Sequence, residues 1–199
     1  MSSFPHAHPA GRRFALSSTA LAAILALVAI AAPNAAAADA GGCPAEVSNP
    51  FLPWNDDNLY RLAPDGDFET GADGWSLADG AAPADGASPL GGASVLSIPA
   101  GGSALSAPIC VDGSEPFAKV LTAGAGGPGD GARVAVAVIG SNGTTESAGT
   151  LRAHSEWGLS RKLRVPDPIA ELDSFQYRFT ALDGDAVLDS LYVDPHLKH

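Results

Sequence analysis

Basic residues are scarce. The chain of 199 residues carries 11 Lys and Arg against 22 Asp and Glu, a formal net charge of −11. That balance excludes nucleic acid and anionic membrane surfaces as partners, because polyanions are bound through clustered cations. Catalytic signatures are missing as well: there is no H-E-x-x-H, no G-x-S-x-G and no metal-spaced set of Cys and His. His154 is the one histidine inside the expected body. Its neighbours Ser155 and Glu156 do not make a triad with it, because successive strand residues point to opposite faces. The glycine-rich stretch 124–131 lacks the Gly-Lys-Ser/Thr ending of a phosphate loop and reads as a flexible connection. No repeat of fixed period is present, and after the first forty residues no segment sustains a helical period.

Residues 1–38 read as a secretory signal peptide: Arg12 and Arg13 form the charged region, residues 14–32 are apolar, and residues 35–38 offer A-x-A cleavage sites. The apolar stretch is long enough to span a bilayer. Ser17, Ser18 and Thr19 weaken it, and small residues follow at once, which favours cleavage and a secreted product. Cleavage after Ala38 removes two of the 11 basic residues and none of the 22 acidic ones, so the mature chain carries −13. What remains has the length of one ordinary domain. In an exported chain the lone pair Cys43 and Cys110 is expected to form a disulfide. It closes a long loop, for which the chain-entropy model gives about 4 kcal/mol.

The body is a series of short apolar segments split by Gly and Pro. Residues 95–98, 104–111 and 117–121 are three of them. Val134, Val136 and Val138 alternate with polar or small neighbours, and Asn142-Gly143 is a hairpin turn signal before a return over 144–151. Leu159, Leu163 and Val165 share a face by parity. So do Phe175, Tyr177 and Phe179, and so do Val187, Asp189, Leu191 and Val193. Eight or more such strands indicate an all-β protein, a β-sandwich of jelly-roll type. The expected organisation is a signal peptide over 1–38, an extended lead-in over 39–63 and the sandwich over 64–195. Within the lead-in, Pro50 and Pro53 bias the residues before them away from helix.

Residues 64–77 read PDGDFETGADGWSL, with turn dipeptides at Asp65-Gly66 and Asp73-Gly74 and core candidates at Phe68 and Trp75. This stretch resembles the opening of galactose-binding-like jelly-roll modules, many of them carbohydrate-binding modules, which begin close to N-G-x-F-E-x-G-x-x-G-W. Gly66, Phe68, Glu69, Gly71, Gly74 and Trp75 match, with Asp65 in the place of Asn. From Cys43 to the VDP at 193–195 the chain also resembles a group of secreted actinobacterial proteins, which implies export and a single domain and no activity.

The resemblance implies a non-catalytic binding module outside the cell, with a glycan as ligand. Aromatic rings stack on the apolar face of sugars, and Trp54, Trp157 and Tyr60 are the ligand candidates. They are equally suited to packing, and no aromatic strip spaced i, i+2 on a polar face is present. Lys162, Arg164 and Arg178 point outward by parity and either meet an anionic polymer or form a solvated face. The resemblance also implies a structural Ca²⁺, held by Glu69 after the motif Phe and by Asp189 in the last strand, with the turn at Asp65 completing the oxygen shell. Asp189 falls by parity among core-facing residues, where a carboxylate needs a cation or several donors. The rival functions are a structural or protein-interaction domain at the cell surface without a sugar site, and a small hydrolase built on two facing carboxylates.

Overall fold

The structure, a computed structural model, describes residue 43 and residues 46–111, 117–125 and 131–194. The expected signal peptide and the centre of the glycine-rich loop lie outside the described residues. The thirteen strands are β1 (Arg61–Leu62), β2 (Ser76–Ala78), β3 (Ala82–Asp85), β4 (Ser94–Ile98), β5 (Ser103–Leu105), β6 (Ile109–Cys110), β7 (Phe117–Gly124), β8 (Ala132–Gly140), β9 (Thr145–Ala153), β10 (Gly158–Leu159), β11 (Leu163–Arg164), β12 (Ser174–Ala181) and β13 (Ala186–Asp194). A four-residue helix, α1 (Asp167–Ala170), precedes β12.

The strands form two antiparallel sheets packed as a β-sandwich of jelly-roll type. The first runs β10-β7-β13-β4-β3, with β1 also on β13 and β11 also on β7. The second runs β2-β5-β12-β8-β9, with β6 also on β12. Alternation on β8 and β12 builds the middle of the core. Phe175, Tyr177 and Phe179 face inward beside Val134, Val136 and Val138, and meet Leu96, Val120, Leu188 and Leu191 from the first sheet. The Tyr177 hydroxyl donates to the Leu163 carbonyl at 2.6 Å, an order-giving bond between the sheets, and burial pushes its pKa up.

The opening motif is a folded corner. Phe68 and Trp75 meet edge-on at 4.9 Å between ring centroids, and the Trp75 indole N–H donates to the Pro64 carbonyl at 3.0 Å. In the first turn Asp65 takes the left-handed conformation (φ 49°). Gly66 is needed for closeness instead: a Cβ there would stand 2.7 Å from the Leu191 carbonyl oxygen. In the second turn Gly74 takes the positive φ, 77°.

Two parity expectations and the reading of 104–111 as one segment are corrected, and each correction passes through a buried serine. Residues 104–111 are two strands because Ser106 leaves the alternation; its hydroxyl accepts the Tyr177 N–H at 3.0 Å in place of a carbonyl. Leu159 does not share a face with Leu163 and Val165, because the Ser160 hydroxyl enters the ladder in the same way, accepting the Val120 N–H at 3.0 Å. In β13 the register shifts between Asp189 and Tyr192, with Ser190 at φ 56°. Leu188 therefore faces the core, Asp189 the outside, and Leu191 and Val193 the core again.

The lead-in is not simply extended. Leu52–Trp54 is a 3-10 turn in which Pro53 sits near the start, where its fixed φ and missing N–H cost nothing. Ser48 pairs with Tyr60, and the segment ends as β1 on the first sheet. Cys43 is bonded to Cys110 with 5.5 Å between Cα atoms. Since β6 belongs to the second sheet, the lead-in is joined to both.

Candidate functional site

The lead-in covers the outer face of the first sheet and makes a third layer there. Strand β7 shows why it fits. Ala118 and Val120 face the sandwich core, while Phe117 and Leu121 face the other way. A strand apolar on both faces must be covered on both. Phe51 and Tyr60 complete a fully buried second cluster with Phe117 and Leu121, and Trp54, Leu90, Trp157, Leu159 and Tyr192 pack around it half-buried.

The rings meet edge-on throughout. Phe51 lies 6.2 Å from Trp54, 5.0 Å from Tyr60 and 5.5 Å from Tyr192 between centroids, and Tyr60 lies 6.1 Å from Phe117. Trp157 reaches the cluster from the opposite side, directly before β10, whose Leu159 pairs with Leu121. Two of the three ligand candidates, Trp54 and Trp157, thus pack against the same buried cluster and are each half-buried. Tyr60 is corrected: it is completely buried, so its ring cannot meet a ligand.

A polar network sits beneath this surface. Asp56, 8% exposed, forms an ion pair with Lys119 and accepts hydrogen bonds from the Tyr60 hydroxyl at 2.7 Å, the Asn58 side-chain amide at 2.7 Å and the Asn58 backbone N–H at 3.2 Å. Burial pushes its pKa up, but Lys119, Tyr60 and Asn58 pull harder and bring it down to about 2. Burial and the bond to Asp56 push the Tyr60 hydroxyl up. Sequence reasoning missed Asp56, Lys119, Phe51 and Phe117. Their signal was the single Lys in the apolar run FAKVLTAG, at outward parity between Phe117 and Leu121.

Of the three outward basic residues, Lys162 places its ammonium 4.0 Å from the Phe117 ring centroid at the edge of this surface. Arg164 is exposed on the edge strand β11, and Arg178 is exposed on the second sheet.

The residues expected to hold calcium are placed apart in their bonding. Glu69 is exposed and its carboxylate accepts the backbone N–H groups of Ala93 and Ser94, each within 3.1 Å. Asp65 accepts the Thr70 hydroxyl at 3.0 Å. Asp189 is 2% exposed; Oδ2 accepts the Ser190 hydroxyl at 2.8 Å, while Oδ1 has no hydrogen-bond partner among the described residues. Burial raises its pKa, with Ser88 and Ser190 offsetting part of the rise. No group of three His, Cys, Asp or Glu able to hold a metal exists among the described residues. The orphaned oxygen of Asp189 fits a cation, and Glu69, already engaged, does not add to it.

The outer face of the second sheet is different in kind. Ala135, Ala137 and Ile139 of β8 lie beside Thr180, Arg178 and Gln176 of β12, and Arg178 also pairs with Leu105. Among the described residues it carries no aromatic side chain.

No family model matches the chain, and no curated protein matches its sequence. Solved structures do share its fold. One is the CBM22-1–GH10 modules of the Clostridium thermocellum endo-1,4-β-D-xylanase 10B complexed with xylohexaose: 16% identity and a TM-score of 0.51 over 70% of this chain and 29% of that one. Two others have TM-scores below 0.5. TmCBM61 in complex with β-1,4-galactotriose gives 15% identity and 0.49, over 67% of this chain and 97% of that one. The CBM22-1 xylan-binding domain from Paenibacillus barcinonensis Xyn10C gives 14% and 0.47, over 67% and 96%. The likeness to the xylanase modules, at 16% identity, is one of fold alone.

Proposed function

We propose that the protein is a non-catalytic carbohydrate-binding module that works outside the cell. One observation carries the reading: Trp54 and Trp157, about a hundred residues apart in sequence, both rest half-buried against one buried aromatic cluster. Rings anchored from beneath lose little freedom when a sugar stacks on them. Support in kind comes from the fold, which it shares with modules of a xylanase solved with xylohexaose, although fold alone does not assign a ligand.

The test is a pull-down on insoluble xylan and β-1,4-galactan followed by a glycan array. Trp54→Ala and Trp157→Ala should each weaken capture at least about tenfold while the protein stays folded, as expected when a buried aromatic anchor is truncated. Capture that survives both changes, or no capture of any glycan by the wild type, overturns the reading. The rival, a protein-interaction domain, is favoured by the flat second face of Ala135, Ala137, Ile139 and Gln176, which has no ring to offer a sugar.

Calcium belongs to the proposal in a reduced form. Asp189, with backbone carbonyls of the Asp65–Asp67 turn, would hold the ion, and the ion would neutralise a carboxylate that burial leaves uncompensated.

A further inference from the structure

We infer that Asp56 is a positioning residue for the proposed sugar surface: its carboxylate, joined to Lys119, Tyr60 and Asn58, fixes the loop that presents Trp54. The inference rests on the reading of Trp54 as a ligand contact. It goes beyond that reading because Asp56 itself is buried and touches no ligand.

The geometry leads to it step by step. Trp54 is the last residue of the 3-10 turn, and Asn55 leaves the turn in the left-handed conformation at φ 56°. The backbone N–H of Asp56 then returns to the Phe51 carbonyl, at 3.3 Å, so the turn closes on the residue whose ring supports Trp54. The turn spans six residues, 51–56, and among the described residues no hydrogen bond joins another of its side chains to the sheet beneath it. Its 3-10 helix has no side-chain cap. The Asp56 carboxylate supplies the attachment, reaching Lys119 in the middle of β7. Lys119 pairs in register with Tyr192, the ring that packs against the other side of Phe51. The second attachment, the Tyr60 hydroxyl, comes from the residue just before β1. On the far side of the loop the Asn49 side-chain amide donates to the carbonyls of Asp57 at 2.7 Å and Asn58 at 3.0 Å. The strand, the turn and the exit to β1 therefore converge on one carboxylate. Removing it leaves the turn its own backbone bonds and the Asn49 amide, but only ring contacts between Trp54 and the cluster beneath, which fix distance poorly and orientation less.

The experiment uses the protein labelled with 5-fluorotryptophan, whose three indole resonances are assigned by single Trp→Phe changes. Asp56→Asn, Lys119→Met and the milder Tyr60→Phe are compared with wild type. The Trp54 resonance should shift or broaden in all three variants. The Trp75 resonance, which reports the sandwich core, and the Trp157 resonance should stay in place. Affinity for insoluble xylan or β-1,4-galactan should fall about tenfold in Asp56→Asn and less in Tyr60→Phe. A Trp54 resonance unmoved in the folded variants overturns the inference. So does a moved resonance with undiminished capture of a polysaccharide that the wild type binds. If the wild type captures neither polysaccharide, the proposed function fails, and the Trp54 resonance alone decides whether Asp56 positions that loop.

Discussion

Asp56 and Asp189 lie on the same outer face of the first sheet, and both are almost entirely withdrawn from water. At the lead-in end, Asp56 has an ammonium, a phenol and an amide around it, and its acidity rises until its pKa reaches about 2. At the bulge end, Asp189 has serine groups and no cation, Oδ1 has no hydrogen-bond partner among the described residues, and burial moves its pKa the other way. Both are buried, Asp189 the more deeply (2% exposed against 8%). Depth of burial and supply of donors together decide whether a buried carboxylate fastens the structure or strains it.

The largest effect expected concerns how the lead-in end is held. Replacing Cys43 and Cys110 by Ser should lower stability by about 4 kcal/mol, read as a fall in the midpoint of urea unfolding. A fall of the same size in a reduced wild-type sample would confirm that the bond and not the substitutions is responsible. Next, Lys119→Met should cost about 3 kcal/mol, because it strands the Asp56 charge in a buried site. The complementary change at the bulge end should have the opposite sign. Asp189→Asn removes a charge that nothing balances and should raise the melting temperature at pH 7 by a few degrees, for about 1 kcal/mol. Calcium sharpens the contrast: if Asp189 holds the ion, millimolar calcium raises the wild-type melting temperature and leaves that of Asp189→Asn unchanged. A wild-type melting temperature identical in calcium and in chelator would remove the ion from the account.

The smallest effect is in the pH profile, and the two groups run in opposite directions. The ordinary value of either carboxyl is 3.8. Asp56 is lowered in the folded state, so its contribution is full above that value and fades as pH falls toward about 2. Asp189 is raised, so the folded state is favoured below the ordinary value, and that advantage is lost as pH rises through the folded value. The gain from Asp189→Asn should therefore shrink on acidification before the loss from Asp56→Asn does. Melting temperatures of both variants between pH 7 and pH 2 would show the order, and the reverse order would break the comparison.

The all-β sandwich was legible because alternation is a local property. Val134 to Val138 and Phe175 to Phe179 announce their faces without help from the rest of the chain. The disulfide was legible from the lone pair of cysteines and the expectation of export. Parity arguments failed at Leu159 and at Asp189, and residues 104–111 split in two, wherever a serine hydroxyl or a left-handed residue let the strand skip a step. A serine in the middle of an apolar strand is a weak local signal, and its meaning depends on a partner strand far away in sequence. The surface was half legible. Trp54 and Trp157 stood out as aromatics near strand ends, but Tyr60 could not be told from an exposed ring, since the lead-in that buries it has no periodicity of its own. Lys119 and Asp56 were not seen as a pair, because 63 residues separate them.

The double attachment of the lead-in has a mechanical consequence. When the chain is pulled from its two ends, tension entering at residue 43 crosses the disulfide to Cys110 and continues along the chain from there. Residues 44–109, with the Trp54 loop and the first five strands, hang as an unloaded loop beside the force path. Tension then falls on the seating of β6 against β12 and of β13 between its neighbours, and the aromatic surface stays slack. Under reducing conditions the route reverses. The first load-bearing contacts become the Ser48–Tyr60 bridge and the pairing of β1 with β13, and the Trp54 loop is the first part to peel. One covalent bond thus sets whether this surface lies outside the path of force or is the first to bear it.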